Sequence, residues 1–164
     1  MKKILLFIMM IFSISIFGNE LGEKVTNKIN FGISPKELQN IVKSEPLSNS
    51  HDNGNYAVYY YANVEDPLGV KRQFNSFAFS KNKLFSAVFD SATTDEEHAK
   101  IIETYKKNAA KLSKEKLNTK ERDGALLLYN SKKIIEIYRM ADHTFITLAI
   151  YSPERFETII NHYD

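Results

Sequence analysis

The sequence predicts an α+β fold in the order α-βββ-α-βββ-α, with one antiparallel sheet and the helices packed on one face. Three observations carry this expectation. Strong helix-opening signals occur at Ser34-Pro35, Thr94-Asp95 and Ser152-Pro153. Between them lie runs rich in aromatic and β-branched residues, joined by short polar turns. Strands follow strands instead of alternating with helices, which separates α+β from parallel α/β architecture.

The chain opens Met1-Lys2-Lys3, runs apolar from Ile4 to Phe12, and exits through Ser13-Ile14-Ser15-Ile16-Phe17-Gly18. A short basic start, an apolar stretch and a small-residue exit make residues 1–18 a cleavable secretory signal peptide. The cut falls after Gly18 or, as the second choice, after Ser15. The run is short of the about 20 residues that a membrane-spanning helix needs, so an uncleaved anchor is the weaker alternative. Residues 19–164 are then a single α+β domain, large enough for one hydrophobic core. Loss of Lys2 and Lys3 lowers the basic residues from 22 to 20, equal to the 20 acids. A neutral body carries no electrostatic footprint for nucleic acid. There is no cysteine, hence no disulfide and no lipid anchor on a cleavage-site cysteine. The expected location is exported, periplasmic or extracellular.

The first helix is expected over about 35–44. Ser34 is its N-cap, Pro35 its first residue, and Glu37 completes a capping box. Leu38, Ile41 and Val42 form its apolar stripe, and Pro46 bars continuation. Strands are expected at Tyr56 to Ala62, Gln73 to Ser80 and Lys83 to Phe89, the last two joined by a hairpin at Lys81-Asn82. Alternation puts Phe77 and Phe79 on one face, and Phe85, Ala87 and Phe89 on one face of the next arm. The second helix starts near Thr93-Thr94-Asp95-Glu96-Glu97, with either threonine as cap and Glu96 or Glu97 three residues on, and buries Ile102, Tyr105, Ala109 and Leu112. Strands follow at Ala125 to Tyr129, Lys133 to Arg139 and Thr144 to Ile150. A closing helix begins at Ser152-Pro153 and buries Phe156, Ile159 and Ile160. Residues 48–55, 63–70 and 113–124 read as loops. Matching strand starts about 60 residues apart suggest a diverged internal duplication, with chance spacing as the alternative.

The segment Phe31-Gly32-Ile33-Ser34-Pro35-Lys36-Glu37-Leu38-Gln39-Asn40-Ile41-Val42, followed by Pro46 and a tyrosine-rich strand, resembles the opening of small envelope modules. These belong to the β-lactamase-inhibitor-protein-like group, which includes outer-membrane assembly lipoproteins. The resemblance covers about 30 residues. It departs at Ser44-Glu45-Pro46, where the group has Gly-x-Pro, and in lacking the lipid-bearing cysteine. It implies a capped helix passing into an antiparallel sheet, and it assigns no functional residue.

Chemical motifs are sparse. His51, His98, His143 and His162 form no i, i+4 pair, and no metal site is read. Asp52-Asn53-Gly54-Asn55 lacks the acidic spacing of a calcium loop and reads as a turn. Gly32-Ile33-Ser34 lacks the second glycine of a nucleophile elbow. No Gly-rich phosphate loop is present, so neither a catalytic residue nor a cofactor is assigned.

The sharpest feature is Tyr59-Tyr60-Tyr61. On a strand, Tyr59 and Tyr61 point one way, and Tyr60 points the other way with Tyr56 and Val58. Both faces cannot be the same core, and exposed rigid aromatics with a hydroxyl tip serve binding. Tyr59 and Tyr61 are the candidate binding residues, flanked by Arg72 and Arg139 on strands expected to be neighbours. The function expected is a non-enzymatic binding module of the cell envelope, with an envelope protein or cell-wall component as partner. The alternatives are a small-ligand carrier, with a cavity lined by Phe77, Phe79, Phe85 and Phe89, and a hydrolase with a dispersed active site.

Overall fold

The computed structural model describes residues 23–52 and 55–163. The signal peptide expected at residues 1–18 lies outside them. The fold is α+β: an eight-stranded antiparallel sheet with four helices among the described residues.

Before the first helix, Val25, Ile29 and Phe31 plug the segment 23–31 into the core. Helix α1 (Pro35–Val42) forms as its caps dictate. Glu37 N–H donates to Ser34 Oγ at 3.3 Å, and Ser34 N–H donates to Glu37 Oε2 at 2.7 Å. Each hydrogen bond satisfies an N–H that helix geometry leaves unpaired. Strands β1 (Ser48–Asp52), β2 (Tyr56–Glu65), β3 (Lys71–Ser80) and β4 (Lys83–Ala92) follow in sequence. Helix α2 (Asp95–Lys107) carries the same capping box through Thr94 and Glu97, and the one-turn helix α3 (Ala109–Leu112) extends it. Strands β5 (Asn118–Arg122), β6 (Ala125–Tyr129), β7 (Ile134–Met140) and β8 (His143–Ala149) come next, and α4 (Pro153–His162) closes the chain.

The sheet runs β1-β2-β3-β4-β8-β7-β6-β5. Each half is a meander entered by a helix, and the two meet at β4 against β8. The expected three strands per half are therefore four. The additional strands, β1 and β5, lie in segments read as loops. They are the sheet edges, with no buried apolar residue to impose alternation.

The inner face holds the main core. Tyr61, Phe77, Phe79, Leu84, Ala87, Phe89, Leu126, Leu128, Ile135, Ile137, Ile146 and Leu148 pack there with Leu38 of α1, Ile102 and Tyr105 of α2, and Leu112 of α3. Helix α4 does not join them, which corrects the expectation of helices on one face. Its Ile159 and Tyr163 pack with Leu127 and Ile134 on the outer face. The register explains why. Leu127 opposes Glu136, and Ile134 opposes Tyr129 and Ala149, all out of phase with the inner-facing positions of β6 and β7.

Two local irregularities reset the alternation. In β4, Phe79 opposes Leu84 while Ala78 opposes Ser86, so Phe85 is an inserted bulge residue. Leu84, not Phe85, joins Ala87 and Phe89 in the core, and Phe85 turns outward. In β2, Asn63 has φ 56°, which lets Tyr61 and Val64 both face inward. The Asn75 side chain spans this irregularity, donating to the carbonyls of Tyr61 at 3.2 Å and Arg72 at 3.0 Å.

Candidate functional site: an aromatic groove on the outer sheet face

One row of outward-facing residues crosses the whole sheet: Ser48, Tyr60, Ser76, Val88, Thr147, Glu136, Leu127 and Lys120. On the β5–β7 side, α4 covers it. On the β2–β4 side the face is open, and Tyr60 is 41% and Phe74 55% exposed. The boundary makes a groove of about 300 Å³, with aromatic walls from Tyr56, Tyr60, Phe74, Phe85, Phe145 and Tyr151. Val58, Ala78 and Val88 form apolar floor between them.

Ring contacts stiffen this surface. Tyr56 meets Phe85 with centroids 6.0 Å apart, and Phe145 stacks on Tyr138 at 5.3 Å. Arg155, on the first turn of α4, lies over the Tyr151 ring at 5.8 Å. Burial pushes the phenols of Tyr138 and Tyr151 well up and that of Tyr56 up to about 12, so all three stay neutral donors at physiological pH.

Among the described residues lining the groove, Asp90 is the one that is charged. Its Oδ1 lies 2.8 Å from Nδ1 of His143. That hydrogen bond and the carboxylate charge push the imidazole above its ordinary value. Under the α4 wall, the Tyr163 hydroxyl donates to Glu136 Oε1 at 2.7 Å. Burial nevertheless raises the Glu136 carboxyl, with the Tyr163 hydrogen bond and nearby His162 opposing the rise. Beside it, the hydroxyls of Tyr138 and Thr147 are buried next to each other.

The residues singled out from the sequence do not form this site. Tyr61 is 1% exposed and packs edge-on against Phe77 at 5.9 Å. Tyr59 packs edge-on against Phe79 at 5.5 Å, also on the inner side. The outward tyrosines are the opposite set, Tyr56 and Tyr60. Arg72 and Arg139 are not on neighbouring strands, because β4 and β8 lie between β3 and β7. Arg72 is buried, and its Nε at 2.8 Å and Nη2 at 2.7 Å both reach Oδ2 of Asp66. Asp66 Oδ1 also accepts from Leu68 N–H and Val70 N–H, so the pair locks the β2–β3 turn. Arg139 donates to the Thr93 carbonyl at 2.8 Å and pairs with Asp95, tying β7 to the start of α2.

Sequence reasoning missed Tyr60, Phe74, Asp90 and Phe145. A signal for Phe74 was present: it is out of phase with Phe77 and Phe79, so an intact strand cannot bury all three.

No protein-family model, curated protein or solved structure matches this chain. The groove must be interpreted from its own chemistry. Among the described residues no group of three or more metal-ligating side chains occurs, and no helix is long and apolar enough to cross a membrane.

Proposed function

We propose that this chain is an exported, non-enzymatic binding module of the cell envelope that captures a protein partner on the uncovered half of its sheet. One observation carries the reading: Tyr60 and Phe74 are exposed on the outer face, in a groove whose walls also include the half-buried Tyr56 and Phe145 and the buried ring of Phe85. Rigid, amphipathic rings give contact area at low entropic cost and dominate protein interfaces. The groove is open along the sheet, which suits a protein surface better than a small molecule, whose sites enclose most of the ligand. Export rests on the leader sequence, and the envelope address also on the resemblance carried by residues 31–42. The repeated helix-plus-meander order supports descent of the two halves from a duplicated unit.

A carrier role between sheet and helices has less support. Phe77, Phe79 and Phe89 are at most 1% exposed and Phe77 packs edge-on against Phe89, so these rings fill that space themselves.

The test is affinity capture from the organism's own envelope extract, comparing wild type with the Tyr60→Ala/Phe74→Ala double variant. The reading requires a protein retained by wild type and lost by the variant, with an unchanged thermal midpoint. Equal recovery by both would remove the outer face as the binding surface.

A further inference from the structure

The groove has a charge asymmetry. Asp90 lines it, while among the described residues no lysine or arginine does. This acid stands in a row with Phe74 and Phe145: Phe74 opposes Asp90 in β3–β4, and Asp90 opposes Phe145 in β4–β8. A carboxylate set between two aromatic rings suits a cation on an apolar stem. The ring faces attract the positive charge, the acid neutralises it, and the methylenes lie on the rings. An anion would meet repulsion from Asp90, and the nearby cation Arg155 is placed over the Tyr151 ring.

We propose that the groove receives a basic side chain, an arginine or a lysine flanked by apolar residues on a protein partner, with its cation at Asp90 and its stem against Phe74 and Phe145. This rests on the outer face being the docking surface. Arginine suits the site better than lysine, because its planar, weakly hydrated guanidinium stacks on rings and gives up its water more readily.

The same carboxylate is already held by His143, at 2.8 Å. Asp90 is also faced by the Tyr138 phenol from β7, and His143 by Asp142 at 3.9 Å. The Tyr138 phenol stays neutral throughout the physiological range, which leaves the imidazole as the competitor. When protonated, His143 occupies Asp90 as an internal cation; when neutral, it leaves the acid's charge for the partner. Affinity for a basic side chain therefore rises as pH increases through the His143 titration.

The experiment is calorimetric titration of the purified protein with two capped five-residue peptides. One carries arginine between leucine and phenylalanine, and its twin carries citrulline, which has the same shape without the charge. The arginine peptide is expected to bind about tenfold tighter or more, with the advantage larger at pH 8 than at pH 6. Asp90→Asn should erase the difference while keeping the wild-type circular dichroism and melting midpoint. Equal affinity for the two peptides, with both weakened by Tyr60→Ala/Phe74→Ala, would overturn the cation preference and leave the docking face standing. Binding that ignores the double variant, or no binding of either peptide at millimolar concentration, would overturn both.

Discussion

The two halves of the sheet share a plan and differ in what lies on their outer side. In both, the inner face is aliphatic or aromatic and buried beneath helices. On the outer face, β6 and β7 present Leu127, Ile134 and Tyr129 to α4. The corresponding surface of β2–β4 carries Tyr60, Val58 and Phe74 and receives no helix among the described residues. Tyr60 and Leu127 stand at matching places in one cross-sheet row, each on the second strand of its half. Leu127 is fully buried, and Tyr60 is 41% exposed. One meander buries its second apolar face under a helix, and the other leaves it open among the described residues.

The largest effect expected lies in the turn that joins β2 to β3 in the open half. That turn is held from the inner side by the buried Asp66–Arg72 pair. Asp66→Ala strands the guanidinium and two backbone N–H groups, and should cost about 3–5 kcal/mol in urea unfolding. A loss below about 1 kcal/mol would show the turn to be held by other means.

Next comes the direct contrast between the matched positions. Leu127→Ala should cost about 2–5 kcal/mol, whereas Tyr60→Ala should stay within about 0.5–1 kcal/mol. Equal losses in parallel denaturant curves would mean that both outer faces are structural.

A smaller effect separates the halves by pH. The Glu136 carboxyl titrates above its unfolded value because burial under α4 disfavours its charge. Its stabilising contribution is therefore complete below the unfolded carboxylate value and fades as pH rises through the folded one. Glu136→Gln should match wild type near pH 4 and exceed it at pH 7, by on the order of 1 kcal/mol. A wild-type protein that is the more stable of the two at pH 7 would contradict the burial argument.

The smallest effect lies in the open half. The His143 imidazole should titrate above 6.5 by NMR and move back toward that value in Asp90→Asn. No movement would show that Asp90 does not hold the ring.

Much of this architecture was legible in the sequence. Ser34 with Glu37 forms the capping box its spacing implies, and of the two threonines that could cap the second helix Thr94 does so with Glu97. The edge strands were hidden because Ser48–Asp52 and Asn118–Arg122 are polar and pair on one side only. Turn chemistry still marked them. Asp123 and Gly124 take φ 49° and 76°, the left-handed pair that joins two-residue hairpins, and Asn53-Gly54 is the same signal in the sequence. The site was harder to read. Whether Tyr60 or its neighbours face the core depends on the register against Phe77 and Phe79, and the direction of Phe85 on one inserted residue. Both are tertiary facts that a period of two cannot supply alone.

The buried Lys133 gives the chain a temporal constraint. Its ammonium reaches Glu23 at 3.2 Å and, 109 residues away in sequence, the Lys24 carbonyl at 3.4 Å. Strand β4 likewise gains its second neighbour only when β8 arrives. A ribosome delivers the first half long before either partner, so the hydrogen-bonding edge of β4 stays open and Glu23 lacks Lys133 through most of synthesis. Closure over such separations is slow. The nascent chain should thus depend on holding factors until its last third emerges, and mature stability will understate its fragility in the making.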